Sequence, residues 1–395
     1  MKGEVTMKIF HTADWHLGKL VQGEYMTEDQ SYVLDEFVRE VKNEQPDVII
    51  IAGDLYDRAV PPTEAVQLLN SVLDALVLEL EIPVLAIAGN HDSPSRVDFG
   101  SNLMRQQGLH MVGNMTSDVS PVVLNDQYGE VHFHLVPYCD PSVVAHEFQD
   151  ESIKTHNQAM EKITQNITHQ FDKQARHVFI GHAFVTPYGE AEENTSESEK
   201  PLSIGGSEYV DAKHFEGFDY TALGHLHQAH YVKSENVRYA GSILKYSLSE
   251  ANHNKGYLIV EIGSEGVNHI EKRLLTPRRD LRALEGKMDD LLQLERSNDY
   301  VFVRLLDETP VLSPMEKLRT VFPNCMHVER KLNKMLKSNS DETKVQRQHL
   351  SEIELFRAFY KEVTDTEASL ETETIFKEVL DELLKEERET ETITT

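Results

Sequence analysis

Five short loops in this sequence carry histidine, aspartate or asparagine side chains, and each follows an apolar, strand-like run. The residues in question are Asp14, His16, Asp54, Asn90, His91, Asp92, His182, His225 and His227. Carboxylate and amide oxygens combined with imidazole nitrogens, without thiolates, are the ligands of borderline-hard divalent metal ions. Two such ions about 3.5–4 Å apart can clamp a phosphoryl group and lower the pKa of a water molecule. These residue types therefore predict a dinuclear site that hydrolyses phosphoesters.

The spacing within the loops indicates how these side chains share the ions. In an extended turn, residues two apart point to the same side, so Asp14 and His16 can bind one ion together. His225 and His227 can likewise reach the site from one loop. Asp54, which follows an unbroken apolar run and Gly53, could sit between the ions and bridge them. A lone aspartate at a strand end is more often a turn or cap residue, but five such loops make coincidence improbable.

The two residues after Asn90 have different predicted roles. His91 follows Asn90 directly and does not share its direction, so we expect it beside the ions as the catalytic histidine. Its proton would stabilise the transition state or leave with the departing oxygen. Asp92 could orient His91 through the ring N–H of that histidine. Trp15, the single tryptophan, is predicted to pack within its loop rather than to contact substrate.

The elements that position these loops alternate between strand and helix. Apolar runs predict strands over 8–13, 47–52 and 83–88, with amphipathic helices over 28–43 and from 61 to about 81 between them. This order predicts right-handed crossovers and a largely parallel sheet. In such sheets ligand sites form at the carboxyl ends of the strands, where all five loops lie. Further predicted strands cover 131–136, 177–180, 218–223, 238–243 and 256–262, the last two in a second sheet.

The C-terminal third of the chain has a different character. A boundary near 276 precedes a region with predicted strands at 301–306 and within 321–330. We expect domains at 7–274, 275–340 and 341–395. The last is acidic and carries two apolar helical stripes, which could pack on the parent domain or dock on the helices of a partner. The acidic, Ser/Thr-rich stretch 190–200 predicts a mobile loop on the side of His182.

Composition limits the class of protein. The net charge of −28 argues against loose adhesion to nucleic acid, although bound cations can invert the field locally. Two distant cysteines, Cys139 and Cys325, are typical of a reducing cytoplasm rather than a disulfide framework. There is no apolar run of the ~20 residues that span a bilayer and no signal peptide in the first six residues. We therefore expect a cytoplasmic protein without a membrane partner.

The ordered loops resemble those of the calcineurin-like metallophosphoesterase superfamily. Its individual sequence motifs resemble those of the double-strand-break-repair nuclease family within this superfamily. This resemblance is clear over residues 7–285. The motifs that carry this resemblance are Thr-Ala-Asp-Trp-His-Leu-Gly-Lys at 12–19, Ala-Gly-Asp-Leu-Tyr-Asp at 52–57, the stretch 201–210, Tyr-Thr-Ala-Leu-Gly-His-Leu-His at 220–227, Tyr-Ala-Gly-Ser-Ile at 239–243 and Thr-Pro-Arg-Arg-Asp-Leu-Arg at 276–282.

The resemblance implies a four-layer α/β/β/α sandwich, a small α/β capping domain and a C-terminal helical segment. It also implies two divalent ions, expected to be manganese. One would be held by Asp14, His16, Asp54 and His227, and the other by Asp54, Asn90, His182 and His225. His91 would be the catalytic histidine. Some relatives have histidine at the position of Asp57, so the role of that residue stays open.

By the same resemblance, the substrate would be double-stranded and hairpin DNA. The helical segment would bind an SMC-like ATPase of the ABC type, and the chain would form a homodimer within a heterotetramer. The alternative is the same chemistry on a small phosphodiester or phosphomonoester. A non-catalytic scaffold is a third alternative, against which the additional histidine His91 argues.

Overall fold

The protein is described by a computed structural model of residues 6–190, 208–330, 352–364 and 366–391. The chain forms two units, one of Met1–Arg304 with Val311–Val328 and the other of Leu305–Pro310 with Glu329–Thr395. Nearly all of the predicted mobile loop 190–200 lies outside the described residues, as does most of the motif at 201–210. The predicted domain limits stay a prediction.

The first unit contains most of the strands. In chain order the strands are Met7–Thr12 (β1), Leu20–Val21 (β2), Glu24–Tyr25 (β3), Val48–Ile51 (β4), Val84–Ile87 (β5), Leu109–Val112 (β6), Val122–Asp126 (β7), Gly129–Val136 (β8), Arg176–His182 (β9), Phe184–Thr186 (β10), Tyr209–Asp211 (β11), Tyr220–Gly224 (β12), His230–Val232 (β13), Ser234–Tyr239 (β14), Gly256–Gly263 (β15), Gly266–Leu274 (β16), Leu281–Gly286 (β17), Tyr300–Leu305 (β18) and Cys325–Arg330 (β19). The helices are Thr27–Glu44 (α1), Thr63–Leu73 (α2), Pro94–Val97 (α3), Ser101–Met104 (α4), Pro141–Glu147 (α5), His156–Thr168 (α6), Met288–Leu291 (α7), Pro314–Arg319 (α8), Glu352–Thr364 (α9) and Leu370–Glu391 (α10).

The first large sheet has the strand order β16-β15-β1-β4-β5-β6. Strands β1, β4, β5 and β6 run parallel, and α1 and α2 form the crossovers, as the alternation predicted. The prediction that 256–262 belongs to the second sheet was wrong, because β15 pairs antiparallel with β1. Its apolar side chains are buried on both faces, Tyr257 among the helices and Leu258 towards the second sheet. This two-sided burial suits a strand inside the first sheet.

The second large sheet has the order β13-β14-β12-β9-β8-β7, with β8, β9, β12 and β14 parallel. The predicted strands 131–136, 177–180 and 218–223 correspond to β8, β9 and β12. The predicted strand 238–243 is displaced, because β14 ends at Tyr239. Gly241 then turns the chain with a φ of 75°.

The two sheets pack face to face and helices cover their outer faces. Ile9 and Ile50 of the first sheet share one buried core with Phe133 and Val178 of the second. Neighbouring side chains of the first sheet point the other way, into a core with the apolar faces of α1 and α2. A third core joins the second sheet to α5 and α6. The predicted four-layer α/β/β/α sandwich is therefore confirmed.

The predicted strands of the C-terminal region are also confirmed as β18 and β19, which form a three-stranded sheet with β17. In the second unit, Phe356 of α9 stacks on Phe376 of α10 with ring centroids 4.0 Å apart. Arg357 forms a two-pronged ion pair with Glu373. The two predicted apolar stripes extend to Val363, Leu383 and Leu384, whose side chains lie outside the described set. Among the described residues, no helix is long and apolar enough to cross a membrane.

A histidine pair lies buried on the second sheet, away from the strand-end loops. His134 Nε2 is 3.1 Å from His177 Nδ1, and the His177 ring stacks on Phe171. Burial, together with the neighbouring His177 and His132, lowers the pKa of His134 to about 3. The folded chain therefore keeps this imidazole neutral at pH values where the unfolded chain protonates it.

We predict that this pair makes the protein less stable in mild acid. Because the folded pKa lies below the unfolded value of ~6.5, stability is lost as pH falls below ~6.5. At about pH 5.5, His134 alone should cost about 1.4 kcal/mol of unfolding free energy. The measurement is urea unfolding of metal-free protein at about pH 7.5 and 5.5. His134→Phe should flatten the pH dependence by this amount, and the exposed His146→Asn should not. An unchanged slope in His134→Phe would contradict the prediction.

Candidate metal centre

All the predicted site residues lie at the carboxyl ends of β1, β4, β5, β9 and β12. Because the two sheets are stacked, these five strand ends meet at one edge of the sandwich. All the predicted site residues except Asn90 are buried there, with relative exposures of 6% or less. The convergence expected from the sequence is therefore what the structure shows.

Several site residues hold the backbone in a left-handed conformation that side chains normally avoid. The φ angles are 53° at Asp14, 46° at His16 and 51° at Asp54, and His225 has a φ of 109°. Each such residue costs of order 1–3 kcal/mol. Hydrogen bonds between the loops stabilise this arrangement, with Asp14 N donating to Gly53 O at 3.1 Å and His16 N to Asp54 O at 2.9 Å. Strain concentrated in this way is typical of functional sites.

Two glycines are required where the strand ends approach one another. Gly53 has a φ of 90°, and a Cβ atom there would overlap the His182 ring. A Cβ atom on Gly224 would overlap the carbonyl oxygen of Ala52. The Gly-Asp and Gly-His pairs of the sequence therefore mark places where only a bare backbone fits between β4, β9 and β12.

The Asp54 carboxylate lies at the centre of the site. Its Oδ2 atom is 3.5 Å from Nε2 of His16 and 3.5 Å from Nε2 of His182. Its Oδ1 atom accepts a hydrogen bond from the His91 amide at 2.9 Å. Two groups of side chains close enough to hold a metal ion share Asp54, namely His16 with His91 and Asp14 with His182.

The orientation of the imidazoles fits bound cations. His182 Nδ1 must donate to the carbonyl of Ala52, at 2.9 Å, so Nε2 of the neutral ring carries a lone pair. That Nε2 nevertheless faces the Asn90 side-chain oxygen at 3.0 Å. A cation bound between these two acceptor atoms would satisfy both of them. The donor set and its geometry therefore fit divalent metal ions of borderline hardness.

On the opposite side of the centre, the imidazoles of His16 and His227 are also oriented for cation binding. His227 directs Nδ1 at the Glu250 carboxylate, at 3.2 Å, and its Nε2 lies 3.0 Å from Nε2 of His16. Burial and then the neighbouring His227 lower the pKa of His16 well below its usual value. The pKa of His225 is also lowered, mainly by burial. His16 and His225 are therefore neutral near pH 7, which is the form that binds metal.

Asn90 and Asp14 connect the remaining loops. His225 Nδ1 lies 3.3 Å from the Asn90 side-chain oxygen, and the His225 amide donates to Asp14 Oδ1 at 2.9 Å. Asp14 thus lies beside both the His225 loop and His182, whose Nδ1 is 3.9 Å away. Each predicted ligand therefore has another predicted ligand as a near neighbour.

The predicted contact between Asp92 and the His91 ring was wrong. His91 Nδ1 instead donates to the main-chain carbonyl of Asp57, at 2.7 Å. The Asp92 carboxylate accepts three backbone hydrogen bonds, from Leu55, Tyr56 and Gly89. Burial and the charge of Asp54 raise the pKa of Asp92 to about 7, although these amides lower it. Asp92 therefore ties the β4 and β5 loops together instead of orienting His91.

Some supporting residues were not found by sequence reasoning. Gln30 of α1 is buried and donates to the main-chain oxygens of Trp15 and His16. Tyr246 also donates to the Trp15 oxygen. A signal for Gln30 exists, because it interrupts the apolar stripe that continues at Val33, Phe37 and Val41. For Tyr246 and Glu250 the sequence carries no such signal. The predicted packing role of Trp15 is confirmed, since it is fully buried.

Comparison with known families agrees with this geometry. The model of the calcineurin-like phosphoesterases matches residues 7–229, more than half of the chain. The chain belongs to this family and is a phosphodiester hydrolase. A second model, that of the SbcD C-terminal domain (described as the type 5 capsule protein repressor C-terminal domain), matches residues 277–364. The two domains in this order support an SbcD-type nuclease subunit.

Two solved structures that match the chain share little sequence with it. One is a dimetal phosphatase from Danio rerio, with 12% identity, a TM-score of 0.40 and coverage of 69% of this chain and 99% of that chain. Another is the protein TT1561 of Thermus thermophilus, with 12% identity, a TM-score of 0.36 and coverage of 68% of this chain and 99% of that chain.

We predict that Gly53→Ala lowers the rate of hydrolysis at least tenfold while Gly23→Ala does not. Both glycines have a φ near 90°, but nothing lies within 4 Å of a Cβ atom on Gly23, whereas one on Gly53 overlaps His182. The backbone strain is thus similar in both variants, of order 1–2 kcal/mol. Only Gly53→Ala displaces His182 and Asp54. Hydrolysis of bis(p-nitrophenyl) phosphate with manganese should fall at least tenfold in Gly53→Ala alone. Equal rates in the two variants would show that the close approach is unimportant.

Proposed function

We propose that this protein is a metal-dependent DNA nuclease that works with an SbcC-like ATPase in DNA recombination and repair. It would act on double-stranded ends as an exonuclease and on hairpins and single strands as an endonuclease. The observation that supports this most is the crowding of acceptor atoms around Asp54, in a chain that also carries an SbcD-type C-terminal domain.

Two divalent ions, expected to be Mn²⁺, would occupy the centre. Asp14, His16, Asp54 and His227 would hold one ion, and Asp54, Asn90, His182 and His225 the other. The equal 3.5 Å distances from Asp54 Oδ2 to His16 Nε2 and His182 Nε2 support a bridging role for this carboxylate. Such ions lower the pKa of water and offset the negative charge that develops on the phosphoryl group.

His91 is the proposed catalytic histidine. The carbonyl of Asp57 fixes the proton on Nδ1, so the other ring nitrogen, Nε2, can exchange a proton with the substrate. His91 also lies beside Asp54, whose Oδ1 accepts from its amide. In its charged form the ring would stabilise the pentavalent transition state and give its Nε2 proton to the departing oxygen. Asp92 supports this by holding the neighbouring loops, without contacting the reacting atoms.

The charge of the chain bears on how DNA is held. With a net charge of −28, the isolated subunit should bind duplex DNA weakly and with steep salt dependence. A partner would then supply much of the grip, and α9 and α10 are its proposed docking site. They expose apolar side chains, among them Phe359 at 64% and Val379 at 50%. A cytoplasmic location and a homodimer within a heterotetramer complete the proposal.

Cleavage of DNA should depend on the charge of the Asp54 carboxylate. Asp54→Asn keeps the side-chain shape but removes the shared charge, so manganese-dependent cleavage of hairpin and blunt duplex DNA should fall at least about 100-fold. The assay is gel analysis of labelled DNA. Asp126→Asn, at the far end of the second sheet, changes an equally small carboxylate and should retain cleavage. Equal cleavage by Asp54→Asn and the parent would contradict the proposal. Rapid hydrolysis of a small phosphodiester, together with no cleavage of DNA, would favour the alternative substrate class.

Association with the partner should depend on the exposed apolar side chains of α9 and α10. Phe359→Glu with Val379→Glu should weaken co-purification of the co-expressed SbcC-like ATPase at least tenfold, because charges would have to be buried. Hydrolysis of bis(p-nitrophenyl) phosphate should stay unchanged. Lys377→Glu changes the charge of the same helix without removing an apolar group and serves as the control. Undiminished co-purification of the double variant would place the docking site elsewhere.

A further inference from the structure

The outer nitrogens of the site histidines face chemically different partners. His227 Nδ1 faces the carboxylate of Glu250, whereas His182 Nδ1 faces the uncharged carbonyl of Ala52. His225 Nδ1 faces the side-chain oxygen of Asn90, another proposed ligand of the same ion, so it is an inner nitrogen and the comparison concerns His182 and His227. The two sides of the centre are therefore supported unequally, although their inner nitrogens are similarly arranged.

We infer that Glu250 is a positioning residue for His227 and makes the His16–His227 side the tighter of the two metal positions. This inference rests on the metal centre proposed above. An imidazole that donates to a carboxylate is a more basic ligand, and its ring is held in one tautomer. A backbone carbonyl fixes the tautomer but adds no charge, so the gain in ligand strength is smaller on the side of His182.

Glu250 is itself firmly held. It is fully buried, and it accepts from Lys255 Nζ at 2.5 Å and from Ser247 Oγ at 3.1 Å. Lys255 Nζ also donates to the main-chain oxygen of His227 and to Ser242 Oγ, both at 2.8 Å. One lysine thus fixes both the carboxylate and the backbone of the histidine that it supports. The local structure around His227 leaves this ring little freedom to rotate.

A second carboxylate lies on the same side of the centre. Asp57 Oδ1 is 3.7 Å from Nδ1 of His16 and 2.8 Å from Lys19 Nζ. Within the described residues, His16 Nδ1 has no hydrogen-bond partner, so this approach is electrostatic only. His182 Nδ1 has a carboxylate at a similar distance, since Asp14 Oδ1 lies 3.9 Å from it. Asp57 therefore does not distinguish the two sides, and the asymmetry depends on the hydrogen bond between Glu250 and His227.

The test is a calorimetric titration of metal-free protein with MnCl₂. The parent should bind in two unequal steps, and Asn90→Ala should weaken only the weaker step. Glu250→Gln with Lys255→Met removes both charges of the buried pair but keeps an oxygen to accept from His227. It should weaken the tighter step about 10–100-fold and leave the other within about twofold. Asp126→Asn with Arg176→Met removes a comparably buried ion pair at the far end of the sheet and should change neither step.

The outcomes separate the inference from the proposed function. Two equal steps in the parent, or an unchanged tighter step in the Glu250 variant, would overturn the inference and leave the metal centre standing. Equal weakening of both steps would also overturn it. Failure of the parent to bind manganese would refute the proposed centre itself. If the Glu250 variant does not fold, Ser247→Ala replaces it, because loss of one hydrogen bond to Glu250 should weaken the same step a few-fold.

Discussion

The close approach of β4 to the ends of β9 and β12 is the constraint on which the rest of this structure depends. Gly53 and Gly224 leave no room for a side chain between these strands, and the two sheets consequently meet with their carboxyl ends aligned. Asp54 then emerges among imidazoles that come from both sheets. A few ångströms more separation would leave the same residues on two unrelated surfaces. Backbone packing, rather than contacts between the ligands themselves, assembles the centre.

This assembly is unfavourable on its own. Left-handed residues store strain at Asp14, His16 and Asp54, and acceptor atoms such as His182 Nε2 and the Asn90 oxygen face one another. Gln30, Tyr246 and Asp92 offset part of this cost through hydrogen bonds to the loop backbones. Divalent cations bound at the centre would relieve the repulsion between the facing acceptor atoms. In a phosphoesterase this is an advantage, because the folding energy of the sandwich pre-organises ligands that would otherwise relax apart.

Much of the fold was predictable because buried parallel strands with polar ends leave a strong pattern in the sequence. The residues before Asp54 form a continuous apolar run, which is typical of a strand that is buried on both faces of its sheet. The same property explains why β15 was predicted in the wrong sheet. Apolar residues on both faces of a strand do not indicate which sheet the strand joins. The site residues themselves were recognised by type. Their supports were not, because Glu250 and Tyr246 reach the site from turns that no periodicity marks. Asp92 was assigned the wrong contact because adjacency in sequence to His91 suggested one, whereas three backbone amides bind it more completely.

The arrangement of charge also bears on how a chain this acidic could act on DNA. Several basic side chains of the described residues are paired with acidic ones: Lys19 with Asp57, Lys245 with Asp280 and Lys255 with Glu250. Arg278 and Arg279 pair with acidic residues of α1. These ion pairs stabilise the structure, and the paired acidic groups weaken the attraction of these cations for phosphates. On the proposed function, bound metal ions would therefore be the main attraction for the scissile phosphate itself. Affinity for the duplex on either side of the scissile phosphate would have to come from another subunit. DNA binding and DNA cleavage would then reside largely on different subunits.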